Sequence, residues 1–211
     1  MLASLKIKDI AIIDELDIEF CPHLNILTGE TGAGKSIIIN AVKLLSGERA
    51  PRDMIRYGAE RDMSMQSFLS KIFSANPGEP PRPLSMTASG GELCRVLLVI
   101  KTILSGRYSI PTVIFDEVDV GIGGRTGEVV GRMLKGLSRS QQVICITHLP
   151  QIAAFADRHF FVKKEIRDER TVTRVKALEG DERIDEIARM LGGGKGAIEH
   201  AREMVKIGGS I

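Results

Sequence analysis

An α/β fold, with a mixed sheet flanked by helices and an antiparallel β portion, is predicted by three observations. The first is a short apolar run, Leu24-Asn25-Ile26-Leu27, that leads into Gly29-Glu30-Thr31-Gly32-Ala33-Gly34-Lys35-Ser36 and then into the apolar-rich segment Ile37 to Leu45. This order reads as strand, glycine loop, helix. The second is a pair of β-branched runs, Pro111 to Phe115 and Gln142 to Thr147, separated by Val129, Val130, Met133, Leu134 and Leu137 at helical spacing. The third is alternation of apolar with polar residues in Leu5-Lys6-Ile7-Lys8 and Leu16 to Phe20, and again in His159 to Ile166 and Thr171 to Leu178. Alternation is the period of half-buried strands, so each couple reads as an antiparallel pair.

Taken in order, the first pair is joined by Ile10 to Glu15 and precedes the glycine-loop strand. The loop fits the phosphate-binding pattern G-x-x-x-x-G-K-[ST] at every fixed position. Its glycines allow the backbone N–H groups of Gly29, Glu30, Thr31, Gly32, Ala33 and Gly34 to face one point, and the following helix adds the positive end of its dipole. In that setting Lys35 reaches the β- and γ-phosphates and Ser36 ligates Mg²⁺. Beyond the helix, Arg49, Arg52, Arg56 and Arg61 form the most basic stretch near this loop, which fits either phosphate contacts or a solvated face. Met63 to Leu69 has no clear period, and Asn76 to Pro83 holds four prolines in eight residues, so this region reads as a linker or surface loop without regular structure.

Ala88-Ser89-Gly90-Gly91-Glu92 opens a helix marked by Leu93, Val96, Leu97, Ile100, Ile103 and Leu104. Ser89 is suited to cap it, and the free N–H groups of its first turn make a further anion site. Pro111 to Phe115 is a buried strand that delivers Asp116 and Glu117 to its C-terminal edge, where Asp116 is a candidate for Mg²⁺ and Glu117 for orienting or deprotonating a water. Gly121 to Gly124 is a flexible connection. His148, just past the strand Gln142 to Thr147, is placed to hydrogen-bond a γ-phosphate, whereas His23, His159 and His200 read as structural. Leu149 to Ala156 reads as a helix, as do Asp181 to Leu191 and Ala197 to Ile207, which end at glycines.

Length and composition bound these readings. A chain of 211 residues supports one substantial core, and 43% hydrophobic with 27% charged residues is ordinary for a soluble globular domain. No apolar run reaches the roughly 18 residues of a membrane helix, and the polar start is unlike a secretory signal, so a cytoplasmic location without a membrane partner is expected. Cys21, Cys94 and Cys145 are too far apart to indicate a disulfide framework or a zinc site. A net charge of +2 neither demands nor excludes nucleic acid.

The order of phosphate loop, Ser-Gly-Gly-Glu, strand-Asp-Glu and strand-His resembles the ATP-binding cassette superfamily across Gly29 to His148. Its wording narrows the resemblance. Ala88-Ser-Gly-Gly-Glu-Leu93, Phe115-Asp-Glu-Val-Asp-Val-Gly-Ile-Gly-Gly124 and Thr147-His-Leu-Pro-Gln151 are similar to the RecN family of bacterial DNA-repair ATPases, relatives of the SMC proteins. The resemblance implies a P-loop ATP-binding cassette head over 1–211, with an N-terminal half in 1–62 and a C-terminal half in 85–211. The stretch 63–84 then stands where that family carries a long coiled coil. Also implied are ATP and Mg²⁺ as cofactors, Lys35, Glu117 and His148 as catalytic groups, and a homodimer in which Ser89, Gly90, Gly91 and Glu92 of one head face the nucleotide of the other. Gln66 is the nearest candidate for the glutamine that senses Mg²⁺ in the family, the alternative being that this glutamine went with the coil. Gly123 replaces the aspartate that many cassette ATPases place after the catalytic glutamate. The expected function is ATP hydrolysis by head dimerisation, serving DNA double-strand break repair and recombination, with DNA as a partner of the full-length protein. A transporter ATPase subunit and a nucleotide-gated binding module with little hydrolysis are the alternatives.

Overall fold

The computed structural model describes residues 1–10, 13–30, 32–45, 72–73, 82–83, 89–103, 111–167 and 170–210. Its centre is a five-stranded sheet in the order β6-β7-β3-β8-β9, where β3 is Leu24–Gly29, β6 Thr112–Phe115, β7 Gln142–Ile146, β8 Arg158–Arg167 and β9 Arg170–Leu178. The first four of these in space run parallel, and β9 returns antiparallel to β8, with Val162 opposite Val175. The sheet is therefore mixed, as expected. Strands β3 and β7 are covered on both faces, which explains why they read as apolar-rich runs rather than alternations.

One face carries α1 (Lys35–Leu45) and the hairpin of β1 (Ser4–Ile10) and β2 (Ile13–Glu19), a separate two-stranded sheet. Leu5, Ile7, Leu16 and Ile18 of that hairpin join Ile38, Ile39, Ile144 and Val162 in one buried cluster. Phe20 meets Phe160 edge to face, with centroids 5.7 Å apart, and so ties the hairpin to the sheet. The other face carries α2 (Gly90–Ile103), α3 (Gly124–Leu137), α4 (Pro150–Ala153), α5 (Gly180–Met190) and α6 (Lys195–Gly209). Leu24, Ile26, Val113, Phe115, Val143 and Cys145 point into this second cluster, so consecutive residues of β3 and β7 feed opposite cores.

Three expectations change. The first hairpin is tighter than Ile10 to Glu15, because Lys8 pairs with Glu15 and Ile10 with Ile13. The helix expected over Leu149 to Ala156 is confined to Pro150–Ala153, since Phe155 and Ala156 donate three residues back and Asp157 then bonds Leu24 to enter β8. The proline-rich stretch is not devoid of ladder: β4 (Ile72–Phe73) pairs antiparallel with β5 (Arg82–Pro83), each of two residues. The remainder of 63–84, with Gln66, lies outside the described residues, as do Arg49, Arg52, Arg56 and Arg61.

Candidate nucleotide-binding site

The carboxyl ends of β3, β6 and β7 open into one cleft of about 350 Å³, a size ordinary for a small-molecule site. A parallel sheet collects its chemistry at this edge, so residues far apart in sequence converge there. From the β3 side the cleft is lined by Gly29, Gly32, Gly34, Lys35 and Ser36. The loop is tightly seated. Gly29 has φ +132°, and a Cβ added there would lie 1.9 Å from the Val162 carbonyl oxygen; Gly34 has φ +101°, and its Cβ would come 2.7 Å from Thr173 Oγ1. Thr173 also donates to the Ala33 carbonyl at 3.0 Å, so β9 pins the loop from outside. Glu30 is exposed beside it, and Thr31 lies outside the described residues.

Helix α1 begins at Lys35, and Lys35, Ser36 and Ile37 of its first turn line the cleft, where a helix N-terminus favours an anion. Lys35 Nζ donates to the Gly29 and Glu30 carbonyls at 2.7 and 2.6 Å, folding the ammonium over the loop. Burial pushes this ammonium below its ordinary range, and the Asp116 carboxylate opposes that shift. A half-buried cation beside a concave backbone cradle is a fit for a polyanion.

Asp116, Glu117 and His148 line the same cleft, so the acids after β6 and the histidine after β7 are brought together with the loop. Glu117 has φ +62°, a left-handed conformation that carries a steric cost in a non-glycine residue and is met at functional sites. Its Oε2 sits against the start of α2, where a Cβ at Gly90 would come within 2.7 Å.

Ser89 caps α2 as expected, and in more detail than expected. Ser89 N and Oγ donate to Glu92 Oε2 at 2.8 and 2.9 Å, while Glu92 N donates back to Ser89 Oγ at 3.4 Å, a reciprocal capping box. These bonds hold the Glu92 carboxyl below its usual range. Ser89, Gly90, Gly91 and Glu92 are outside the cleft lining, although Gly91 packs so closely that a Cβ would lie 2.9 Å from Val120 Cβ. Arg95 of α2 donates to the Val118 and Val120 carbonyls at 3.2 and 2.8 Å, clamping the loop after β6 to this helix. Cys94 Sγ donates to the Asp116 carbonyl at 2.8 Å, and burial raises its thiol, consistent with a packing role.

One cleft residue was not singled out from the sequence. Asp119 is buried, and its Oδ2 accepts from Thr147 Oγ1 at 2.6 Å, His148 N at 2.7 Å and His148 Nδ1 at 2.8 Å. The repeated acids of Asp116-Glu117-Val118-Asp119 were the available signal. Among the histidines set aside as structural, His159 is buried and bonded to Thr28, His23 lies 3.2 Å from the Ser138 carbonyl, and His200 is exposed on α6. Among the described residues no cluster of three or more His, Cys, Asp or Glu is arranged to hold a metal by itself. A cation here would need oxygen from its ligand as well as from Ser36 and Asp116.

Residues 4–72 match the family described as AAA domain. The chain is 50% identical over 140 residues to the DNA repair protein RecN of Treponema pallidum, covering 65% of this chain and 24% of that protein. It is 53% identical over 135 residues to RecN of Deinococcus radiodurans, covering 63% and 24%, and 45% identical over 150 residues to RecN of Bacillus subtilis, covering 70% and 26%. The chain thus spans about a quarter of the length of these relatives. Among solved structures, an SMC head bound to the C-winged helix domain of ScpA superposes with TM-score 0.60 at 16% identity, covering 85% of this chain and 98% of that one. The SMC head domain from Thermotoga maritima gives 0.56 at 19%, covering 84% and 98%. By sequence the chain is similar to part of the DNA repair protein RecN, and its fold is the one seen in SMC head domains.

Proposed function

We propose that this chain is an ATPase head: it binds ATP with Mg²⁺ in the cleft and hydrolyses it when two heads close over the nucleotide. The observation that carries this reading is the convergence of Lys35, Ser36, Asp116, Glu117 and His148 on one cleft at the carboxyl edge of the sheet. The α1 N-terminus and the amides of Gly29 to Gly34, Thr31 included, hold the phosphates, with Lys35 at the β- and γ-oxygens. Ser36 and Asp116 are the protein ligands for Mg²⁺, with Gln66 as a further candidate. Mg²⁺ when bound supplies neutralisation of the charge on the transferred phosphoryl group. Glu117 orients or deprotonates the attacking water, and His148 bonds the γ-phosphate.

The capped start of α2, outside its own cleft, is the surface that a second copy would use: Ser89, Gly90, Gly91 and Glu92 of one head close the nucleotide site of the other. In the longer protein to which the relatives point, the two halves 1–62 and 85–211 form one head joined at 63–84, acting in the cytoplasm on DNA in double-strand break repair and recombination. Among the described residues no helix is long and apolar enough to cross a membrane, which gives no support to a membrane-embedded role.

The test uses two defects that fall in different sites. Glu117→Gln removes the carboxylate and should lower hydrolysis by about 10² to 10⁴ while leaving ATP binding intact. Ser89→Arg places a bulky cation at the proposed contact and should also silence hydrolysis. In a mixed dimer one site unites an intact Glu117 with an intact Ser89, so an equimolar mixture should regain activity. A mixture as inactive as its components, together with a wild-type rate strictly linear in protein concentration, would exclude the two-chain mechanism.

A further inference from the structure

We infer that Asp119 is a positioning residue for the proposed hydrolysis: it keeps a proton on His148 Nδ1 and leaves Nε2 for the nucleotide. The inference rests on the nucleotide-site reading above. Its basis is an asymmetry of burial. The Asp119 side chain is 4% exposed, whereas that of His148 is 66% exposed, so the acid is fixed inside the protein and the imidazole reaches out from it. A carboxylate withdrawn from water needs donors, and Asp119 Oδ2 has three: Thr147 Oγ1, His148 N and His148 Nδ1. Each of those donors belongs to the turn after β7. Thr147 Oγ1 accepts in addition from Leu149 N at 3.0 Å, which locks the same turn from its other end. Arg95 fixes the acid from behind through the carbonyls on either side of it.

A carboxylate can only accept, so the Nδ1 facing it carries hydrogen. Nε2 has no partner among the described residues. In a neutral ring Nε2 then presents a lone pair, which a phosphate oxygen repels. Only the doubly protonated ring donates from both nitrogens, to Asp119 on one side and to a γ-phosphate oxygen on the other. The charged groups that share the cleft with it are the Lys35 ammonium and the Asp116 and Glu117 carboxylates. Binding of ATP therefore takes one proton from solvent onto Nε2, and release of phosphate returns it. Asp119 holds the ring so that Nε2 faces the nucleotide, much as an outer carboxylate orients a ligating histidine.

The tautomer can be read directly. Protein labelled with ¹⁵N-histidine, studied by long-range ¹H–¹⁵N correlation at about pH 8, above the ordinary imidazole range, reports which nitrogens carry protons. A His148→Gln sample assigns the signal. Free protein should show His148 protonated on Nδ1 alone, and addition of Mg²⁺ with adenylyl imidodiphosphate should add the second proton. Asp119→Asn should lose that second protonation and lower ATP turnover by about 10- to 100-fold. In a His148→Gln background the same change should cost little, since its effect passes through the ring. A free wild-type ring protonated on Nε2 alone, or losses that simply multiply in the double variant, would overturn the inference. Calorimetry separates the two levels: no binding of the analogue by wild type would remove the nucleotide reading, whereas the spectrum of the free protein tests Asp119 whatever binds and whether or not Asp119→Asn folds.

Discussion

Replacing His159 with Gln should flatten the acid dependence of stability between about pH 8 and pH 5, a window that lies above most carboxylate titrations. His159 is buried on β8, where its Nε2 lies 2.8 Å from Thr28 Oγ1. The threonine hydroxyl donates to Glu186 Oε1 at 3.0 Å, so it receives rather than gives at the histidine, and Nε2 is the protonated nitrogen. Nδ1 is buried without a partner. A second proton would have to sit on that nitrogen, away from water. Burial, with a smaller push from the Arg183 guanidinium, accordingly lowers the group from 6.5 to about 3. The sign follows. Below pH 6.5 the unfolded chain takes up a proton that the native one refuses, so stability present above that pH is lost as pH falls toward about 3. At about 1.36 kcal/mol per unit, the loss reaches about 2 kcal/mol by pH 5 and about 4 to 5 kcal/mol at its limit. Urea unfolding at several pH values measures it for wild type and His159→Gln. The variant keeps a donor for Thr28 and should show a shallower slope. Parallel slopes, or an NMR titration of His159 with a midpoint in the ordinary range, would refute the argument.

Other consequences follow from particular contacts. Gly29→Ala forces a Cβ to within 1.9 Å of the Val162 carbonyl, so this variant should melt at lower temperature and lose Mg-ATP binding, as calorimetry and circular dichroism would show. Leu134→Ala empties a fully buried position of α3 and should cost about 2 to 5 kcal/mol in urea unfolding while leaving Mg-ATP affinity unchanged. Ser89→Ala removes the hydroxyl side of the capping box and leaves the Ser89 N–H to Glu92, so amide exchange over Gly90 to Leu93 should quicken without any change in the nucleotide affinity of a single head.

Much of the glycine-loop side of the cleft was legible because it is local. Strand, glycine loop and helix lie in one stretch, and its fixed residues are adjacent in sequence. Asp116, Glu117 and His148 were legible for a related reason: each follows a strongly apolar strand, and parallel strands bring their ends together. Asp119 was harder to see. It sits in a turn with no period, and its partners Thr147 and His148 lie 28 and 29 residues away.

Helix α2 shows another limit. Leu93, Val96, Leu97, Leu98, Val99, Ile100 and Ile103 make it apolar around much of its circumference, so spacing could not choose the stripe that packs. Leu98, which the expected face omitted, is the buried one, while Ile103 is 72% exposed. Capping was only half read: Ser89 was expected to cap, but Glu92 three residues on completes the box. The second antiparallel pair was placed correctly, yet its membership in the main sheet depends on β8 pairing with β3, a contact across more than a hundred residues that no local pattern encodes.

The central claim is that the cleft built on Lys35 receives the phosphates of ATP. Calorimetric titration of Mg-ATP into wild type and Lys35→Ala tests it most directly. Lys35 is the charged donor nearest the glycine loop, and removing a charge-assisted contact of that kind costs about 1.5 to 3 kcal/mol, or about 10- to 150-fold in affinity. Saturable binding by wild type, weakened to that extent in a variant with an unchanged circular dichroism spectrum, is the predicted result. Equal affinity in the two proteins, or no binding by folded wild type, would contradict it.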